Sequence, residues 1–82
     1  MTHIPHPDPP SIAVSCAVVT VSDTRSKETD KSGQLIQELL RNANHAVEAY
    51  TIVKDEPWQI QEQMQMLSQS RNLDVVIFNG GT

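Results

Sequence analysis

The sequence predicts an α/β fold with a parallel sheet in a three-layer arrangement, of which these residues supply a βαβαβ half. Two observations predict it. Three short apolar runs rich in β-branched residues alternate with two segments whose apolar residues recur at helical spacing. Each apolar run also leads into a polar or glycine-containing segment, which is typical of a strand that leaves a sheet. Strands separated by helices need crossover connections, so the alternation favours a parallel sheet with helices on its faces.

The three strands are predicted at residues 13–21, 47–53 and 74–78. The first run is almost continuously apolar, as expected of a strand that is covered on both faces. The second contains Tyr50 between β-branched residues. The third run is also predicted to be a buried strand, and it leads directly into residues 79–82.

The first helix is predicted from Leu35, Ile36, Leu39 and Leu40, which recur at the spacing of one helix face. Thr29 or Asp30 is a suitable N-cap, because its side chain accepts a hydrogen bond from a first-turn N–H group. Asn42 and Asn44 mark the expected end of this helix.

The second helix is expected to begin near Pro57, since proline suits the first helical turn. Its predicted buried face consists of Ile60, Met64 and Leu67, with Met66 as further core filling and the glutamines on the solvated side. Trp58 and Tyr50 are expected in packing or interface positions.

The composition excludes some partner classes. The chain has 82 residues, a net charge of −4, 38% hydrophobic and 4% aromatic residues. Binding of nucleic acid or an anionic membrane needs clustered Lys and Arg. The six basic residues are scattered along the sequence and predict no basic patch: Arg25, Lys27, Lys31, Arg41, Lys54 and Arg71.

Domain organisation and compartment follow from the same sequence. Residues 1–12 include four prolines and predict a disordered tail, whereas residues 13–82 form the predicted half-domain. The single cysteine, Cys16, lies in an apolar run and is expected to be a small buried residue. There is no zinc-ligand spacing and no apolar run long enough to span a membrane. A cytoplasmic protein is the default expectation.

Polar segments follow all three predicted strands, at the sheet edge where α/β proteins bind ligands. These segments are residues 22–25, 54–56 and 79–82. Gly80 and Gly81 permit positive φ and let backbone N–H groups approach a phosphate, while Thr82 adds a hydroxyl group.

The acidic residues admit two interpretations each. Asp55 and Glu56 suit Mg²⁺, which takes oxygen ligands, but the N-terminal dipole of the next helix also favours carboxylates there. Ser22 and Asp23 suit a ligand site or a turn stabilised by their side chains. Asp30 is expected to cap a helix, and Gly33 to allow close approach to a strand or ligand.

Four segments, in order and spacing, resemble the MoaB/MogA molybdopterin-binding family of molybdenum cofactor biosynthesis, and most closely its B proteins. They are VTVSDTR at 19–25, TDKSG at 29–33, IVKDE at 52–56 and DVVIFNGGT at 74–82. The resemblance implies the molybdopterin-binding fold and a homo-oligomer, a trimer or hexamer. Other proteins of cofactor biosynthesis are further possible partners.

The resemblance also implies an activity. Active members bind molybdopterin and transfer AMP from Mg-ATP to its terminal phosphate. Asp55 would then be the catalytic carboxylate and help to position Mg²⁺. The residues implied in binding molybdopterin or its phosphate are Ser22, Asp23, Asp30, Gly33, Gly80, Gly81 and Thr82.

The sequence departs from the family pattern after Thr82, where the family motif continues with a further glycine and a second functional aspartate. We therefore expect an N-terminal half that is inactive alone. Three alternatives stay open: an adenylyltransferase in the intact protein, a non-catalytic pterin-binding or assembly protein, and a generic half-domain that binds another phosphate ligand.

Overall fold

The computed structural model describes residues 12–80, which form a three-stranded parallel sheet and two helices. The strands are β1 (Ser15–Val21), β2 (Ala46–Val53) and β3 (Val75–Gly80), and the helices are α1 (Lys31–Asn42) and α2 (Pro57–Ser68). The predicted α/β class and element order are therefore confirmed. The tail prediction falls almost entirely on residues 1–11, outside the described residues.

The central strand is β1, because the sheet order is β2-β1-β3. Its residues Cys16 to Thr20 are buried, as the prediction of a strand covered on both faces requires. The third strand differs from the prediction. Val75 and Phe78 of β3 are 41% and 37% exposed, so this strand is not buried among the described residues. Within residues 12–80, β1 alone has sheet neighbours on both sides, which explains the difference.

Helix α1 begins and ends where the sequence predicts. Asp30 is its N-cap, and the Asp30 side chain accepts a hydrogen bond from the Gly33 N–H. At the other end Asn44 adopts a φ of 70°, the left-handed conformation that asparagine tolerates after a helix.

The apolar face predicted for α1 is only half covered by the described residues. Leu35 and Leu39 are 53% and 58% exposed, whereas Gly33 and Gln37 are buried. The helix is turned by its N-terminal anchoring: Asp30 and Gly33 pack against the sheet, and residue 37 lies one turn further on the same face.

Helix α2 begins at Pro57 as predicted, but none of its residues is buried. Ile60 and Leu67 are half-buried, while Met64 and Met66 are 50% and 61% exposed, so the prediction of core methionines is wrong. Trp58 is also 61% exposed. Neither helix is long and apolar enough to cross a membrane within the described residues.

Candidate functional site

The carboxyl ends of all three strands lie level with one another. Val21, the last residue of β1, is in register with Val53 at the end of β2 and with Gly80 at the end of β3. The segments after β1 and β2 are joined, because the Ser22 N–H donates to the Val53 carbonyl over 2.9 Å. The register therefore brings the segments after β1 and β2 and the end of β3 to one edge of the sheet, as expected of an open α/β fold.

Ser22 shapes the loop that leaves β1. Its Oγ accepts hydrogen bonds from the N–H groups of Thr24 (3.2 Å) and Arg25 (3.0 Å). The structure thus shows the turn that serine commonly stabilises. Ser22 is only half-buried and lines an open cleft, so the turn leaves it next to space for a ligand.

Asp23 connects this loop to the segment after β2. Its Oδ1 accepts a hydrogen bond of 3.0 Å from the backbone N–H of Asp55. The Asp55 residue itself is exposed. Two carboxylate-bearing residues from different loops therefore meet at the edge of the sheet.

Asp30 lies at the centre of a buried polar network. It is fully buried, and its Oδ1 accepts from the Gly33 N–H (3.2 Å) and from Arg25 Nη1 (3.3 Å). Its Oδ2 accepts from the Tyr50 hydroxyl over 2.5 Å. A buried carboxylate is stable only when such partners satisfy it. The cap that the sequence predicts is therefore also a junction between the first loop, α1 and β2.

The network changes the ionisation of both partners. Burial of Asp30 works to raise its pKa, but hydrogen bonds from Tyr50, Thr20, the Gly33 N–H and Arg25 outweigh burial and hold the pKa below its ordinary value. Burial and the neighbouring Asp30 carboxylate raise the pKa of Tyr50 to about 12. At neutral pH the pair is accordingly a carboxylate and a protonated phenol.

Gly33 is required for this contact. A Cβ atom on Gly33 would overlap Asp30 Oδ2 and lie 2.7 Å from Asp30 Cγ and 2.8 Å from Thr20 Oγ1. The predicted close approach of Gly33 to a strand is therefore present. Direct contacts of Asp30 and Gly33 with a ligand stay predictions, since both residues are enclosed by protein.

Two residues of this network carried no predicted role, although both lie inside the family-like segments. Asn79 Nδ2 donates to Thr20 Oγ1 (3.2 Å) and to Ser32 Oγ (2.9 Å). Ser32 Oγ also accepts from Arg25 Nη1 over 3.0 Å. The end of β3 is thereby joined to α1 and to the first loop. The pairing of Ser32 with Asn79, 47 residues apart, has no local signal in the sequence.

Three cations surround the open cleft, which has a volume of about 370 Å³. They are Arg25, Lys27 and Lys54, half of the six basic residues in the chain. Three of the six basic residues that are scattered along the sequence thus line one cleft in the fold. Folding brings together two loops that are separated by α1 and β2, and a linear sequence does not display that proximity.

The glycine-containing segment is described only in part. Gly80 lies in β3 without a positive φ, and a Cβ atom there would meet nothing within 4 Å. It does not use the conformational freedom that the sequence suggested. Gly81 and Thr82 lie outside the described residues, so their predicted phosphate contacts stay predictions.

The donor chemistry fits a shared Mg²⁺ site better than a metal site built by protein alone. Among residues 12–80 no group of three or more His, Cys, Asp or Glu residues is placed to hold a metal ion. Mg²⁺ commonly takes only one or two carboxylates and completes its ligands with water and substrate phosphates. The exposed Asp55 beside Asp23 suits that arrangement.

Cys16 is buried, with an exposed fraction of 1%. Burial raises the pKa of its thiol, and the negative charge of the nearby Asp74 raises it further.

Comparison with known proteins places this geometry in one family. Residues 17–82 match the family described as "Probable molybdopterin binding domain". The chain is 52% identical over 69 residues to molybdenum cofactor biosynthesis protein B of Bacillus cereus. It is 48% identical over 69 residues to the protein of that name from Bacillus subtilis, and 49% identical over 71 residues to that from Staphylococcus carnosus.

These alignments cover 84% of this chain but 41% of each relative. The chain therefore spans about two fifths of the length of the curated relatives it matches. A crystal structure of molybdenum cofactor biosynthesis protein B superimposes with a TM-score of 0.83 at 50% identity, over 88% of this chain and 45% of that one. The chain thus shares its α/β architecture with that protein.

Proposed function

The chain belongs to the molybdopterin-binding domain family of molybdenum cofactor biosynthesis, and from this premise we propose that it binds molybdopterin at the carboxyl ends of its strands. We further propose that the intact protein transfers AMP from Mg-ATP to the terminal phosphate of the pterin. The observation that carries the proposal is the level register of Val21, Val53 and Gly80, which brings the ends of β1, β2 and β3 to one edge of the sheet.

The proposed binding roles follow the chemistry of these segments. Ser22 borders the open cleft, and Gly80 lies at the end of β3 with open space around its Cα. Together with Gly81 and Thr82 they would contact the pterin or its phosphate. Asp23, Asp30 and Gly33 support this edge through the contacts between the loops.

Asp55 is the proposed catalytic residue, as the carboxylate that helps to hold Mg²⁺. When bound, Mg²⁺ would neutralise charge on the nucleotide phosphates, which is the main requirement of phosphoryl-group chemistry. Asp55 itself is exposed, and the hydrogen bond from its N–H to Asp23 Oδ1 fixes the backbone that carries the carboxylate. That arrangement supports a role in positioning a metal–phosphate complex.

The test is an assay of pyrophosphate release by the full-length protein with molybdopterin and Mg-ATP. We expect pterin-dependent release in the wild type and a loss of about a hundredfold or more in Asp55→Ala. Glu62→Ala, which removes an exposed carboxylate from α2, is the matched control and should retain activity. Tight pterin binding without pyrophosphate release would refute the transferase proposal and leave the binding proposal intact.

A non-catalytic pterin-binding or assembly protein is the second candidate. This function requires only the level strand ends and the cleft beside Ser22, and no carboxylate that holds a metal. Pterin binding would separate both candidates from a protein that binds some other phosphate ligand. Binding of molybdopterin to the full-length protein is therefore measured first, in the absence of ATP.

We also propose a homo-oligomer, a trimer or hexamer, since exposed apolar side chains occur on both helices and on β3. Leu39 of α1, Trp58 of α2 and Val75 of β3 are 58%, 61% and 41% exposed. Analytical ultracentrifugation of the full-length protein tests this proposal, and a monomer at micromolar concentration would contradict it.

A further inference from the structure

We propose that Arg25 binds a phosphate group of the ligand in the cationic cleft, and that the buried Asp30 is a positioning residue that acts through Arg25. This inference rests on the proposed function, which it deepens by naming the side chain that recognises phosphate. The phosphate belongs either to the pterin or to the nucleotide, and calorimetric titration with each ligand distinguishes these two sources.

The charge of the cleft favours an anion. The protein has a net charge of −4, yet Arg25, Lys27 and Lys54 all border the cleft. The acidic residue at the cleft, Asp23, already accepts a hydrogen bond from the Asp55 N–H. A local excess of positive charge in a cleft attracts a small anion.

Arg25 retains most of its hydrogen-bonding capacity. Among residues 12–80, the Arg25 side chain donates through Nη1 alone, to Asp30 Oδ1 (3.3 Å) and Ser32 Oγ (3.0 Å). A guanidinium group carries five N–H donors in a planar fork, so within this part of the chain Nη2 and Nε remain for a ligand. The side chain is 26% exposed at the cleft. Two parallel donors from a fixed fork match phosphate geometry better than a flexible ammonium group does.

Asp30 fixes the orientation of that fork. The carboxylate is fully buried and is itself held by the Gly33 N–H and the Tyr50 hydroxyl, so it cannot turn toward a ligand in the cleft. Its contribution to binding must therefore pass through Arg25. A buried partner of this kind pre-organises a binding side chain and reduces the entropy lost on association.

The loop that carries Arg25 is held on its other side as well. Gln34 Nε2 donates to the Lys27 carbonyl over 2.6 Å, and Lys27 Nζ lies 5.5 Å from the centroid of the Tyr50 ring. These contacts attach the loop to α1 and to β2. The cleft is thus formed before a ligand arrives.

The test is isothermal titration calorimetry of the full-length protein with three probes: inorganic pyrophosphate, Mg-ATP and molybdopterin. We expect Arg25→Gln to weaken pyrophosphate binding about tenfold, with Arg25→Lys intermediate because it keeps the charge and loses the fork. Arg71→Gln, at an exposed position before β3, is the charge-matched control and should bind as the wild type. Pyrophosphate affinity in Arg25→Gln within twofold of the wild type would overturn the proposal.

The other two probes identify the source of the phosphate. Weaker Mg-ATP binding in Arg25→Gln assigns the cleft to the nucleotide, and weaker molybdopterin binding assigns it to the pterin. If the wild type fails to bind molybdopterin while Arg25 still governs pyrophosphate binding, the proposed function fails and the phosphate site stands. If molybdopterin binds the wild type and Arg25→Gln leaves the affinity for all three probes unchanged, the proposed function stands and this inference fails.

The positioning role of Asp30 is tested by a double-mutant cycle on pyrophosphate affinity. We expect Asp30→Asn to weaken binding several-fold in the wild-type background and to have no further effect in Arg25→Gln. Ser32→Ala removes the other acceptor of Arg25 Nη1 and replaces Asp30→Asn in the cycle if that variant does not fold. Additive effects of the two substitutions would refute a role that passes through Arg25.

Discussion

Asp30 and Asp55 are both aspartates of family-like segments, but the fold places them in opposite environments. Asp30 is fully buried and receives hydrogen bonds from α1, β2 and the first loop. Asp55 is exposed, and its backbone, not its carboxylate, is held by Asp23. Asp30 therefore holds the parts of the site together, whereas the carboxylate of Asp55 is accessible to a ligand.

The physical reason is the cost of burying charge. A carboxylate inside the protein must be satisfied by protein donors, which leaves no bonding capacity for a ligand. An exposed carboxylate keeps its water and can exchange it for a metal ion. Substitutions on the Asp30 side should therefore change stability, whereas substitutions on the Asp55 side should change activity alone.

The largest effect is expected from Gly33→Ala, which drives a methyl group into the Asp30 carboxylate and against Thr20 Oγ1. We expect the free energy of unfolding to fall by about 3 kcal/mol, since the backbone of α1 must shift and the buried carboxylate loses its partners. Urea denaturation of the full-length protein measures this change. Gly80→Ala is the control, with an expected change of no more than about 0.5 kcal/mol because the space around Gly80 is open. Equal effects of the two substitutions would contradict the role of Gly33.

Asp30→Asn should lower the free energy of unfolding by about 2 kcal/mol at pH 7, because Arg25 and Tyr50 lose their charged partner. The pKa of Asp30 is lowered in the folded state from 3.8. Its contribution is therefore complete above pH 3.8 and is lost as the pH falls through the lower folded pKa.

Denaturation of the wild type and of Asp30→Asn between pH 2 and 7 measures that dependence. The stability difference between the two proteins should shrink toward the acid end. A difference that is constant with pH would show that the carboxylate charge is not what stabilises the network.

Tyr50→Phe should lower stability by about 1.5 kcal/mol, since it removes one donor to the buried carboxylate and leaves the ring in place. The pKa of Tyr50 is raised from 10.0 to about 12 in the folded state. The stabilisation by Tyr50 is thus complete below pH 10.0 and lost as the pH rises toward about 12. Denaturation at pH 8 and 11 should show a smaller difference between variant and wild type at pH 11. A larger difference there would argue against the hydrogen bond to Asp30.

The smallest change in stability is expected from Asp55→Asn, within about 0.5 kcal/mol of the wild type, because the side chain is exposed. The same variant should lose the Mg²⁺-dependent activity proposed for the intact protein. Urea denaturation and the pyrophosphate assay on one preparation test both halves of this expectation. A stability loss as large as that of Asp30→Asn would remove the contrast between the two aspartates.

Local patterns were sufficient for much of the fold. The five elements, the burial of β1, the Asp30 cap, the Pro57 start of α2 and the end of α1 near Asn44 all follow from residues close together in the sequence. Each depends on side-chain periodicity or on hydrogen bonds within one turn, which short segments encode.

The burial of individual side chains was predicted less well, because it depends on which elements pack against them. Helical spacing put Leu39 on the apolar face of α1, and the anchoring of Gly33 against Asp30 and Thr20 leaves that residue exposed. Met64 and Phe78 were expected inside, although α2 lies at the surface of the described residues and β3 at the edge of their sheet. Hydrophobic spacing identifies a face and does not say how much protein covers it.

The sequence by itself determined the family, the order of the elements and the polar segments that end the three strands. Tertiary structure alone decided which polar residues meet: Asp30 with Tyr50, Ser32 with Asn79, and Asp23 with Asp55. The physical reason is that these partners lie 20, 47 and 32 residues apart, so their contacts depend on strand register and helix rotation. Those two quantities are fixed by packing over the whole sheet.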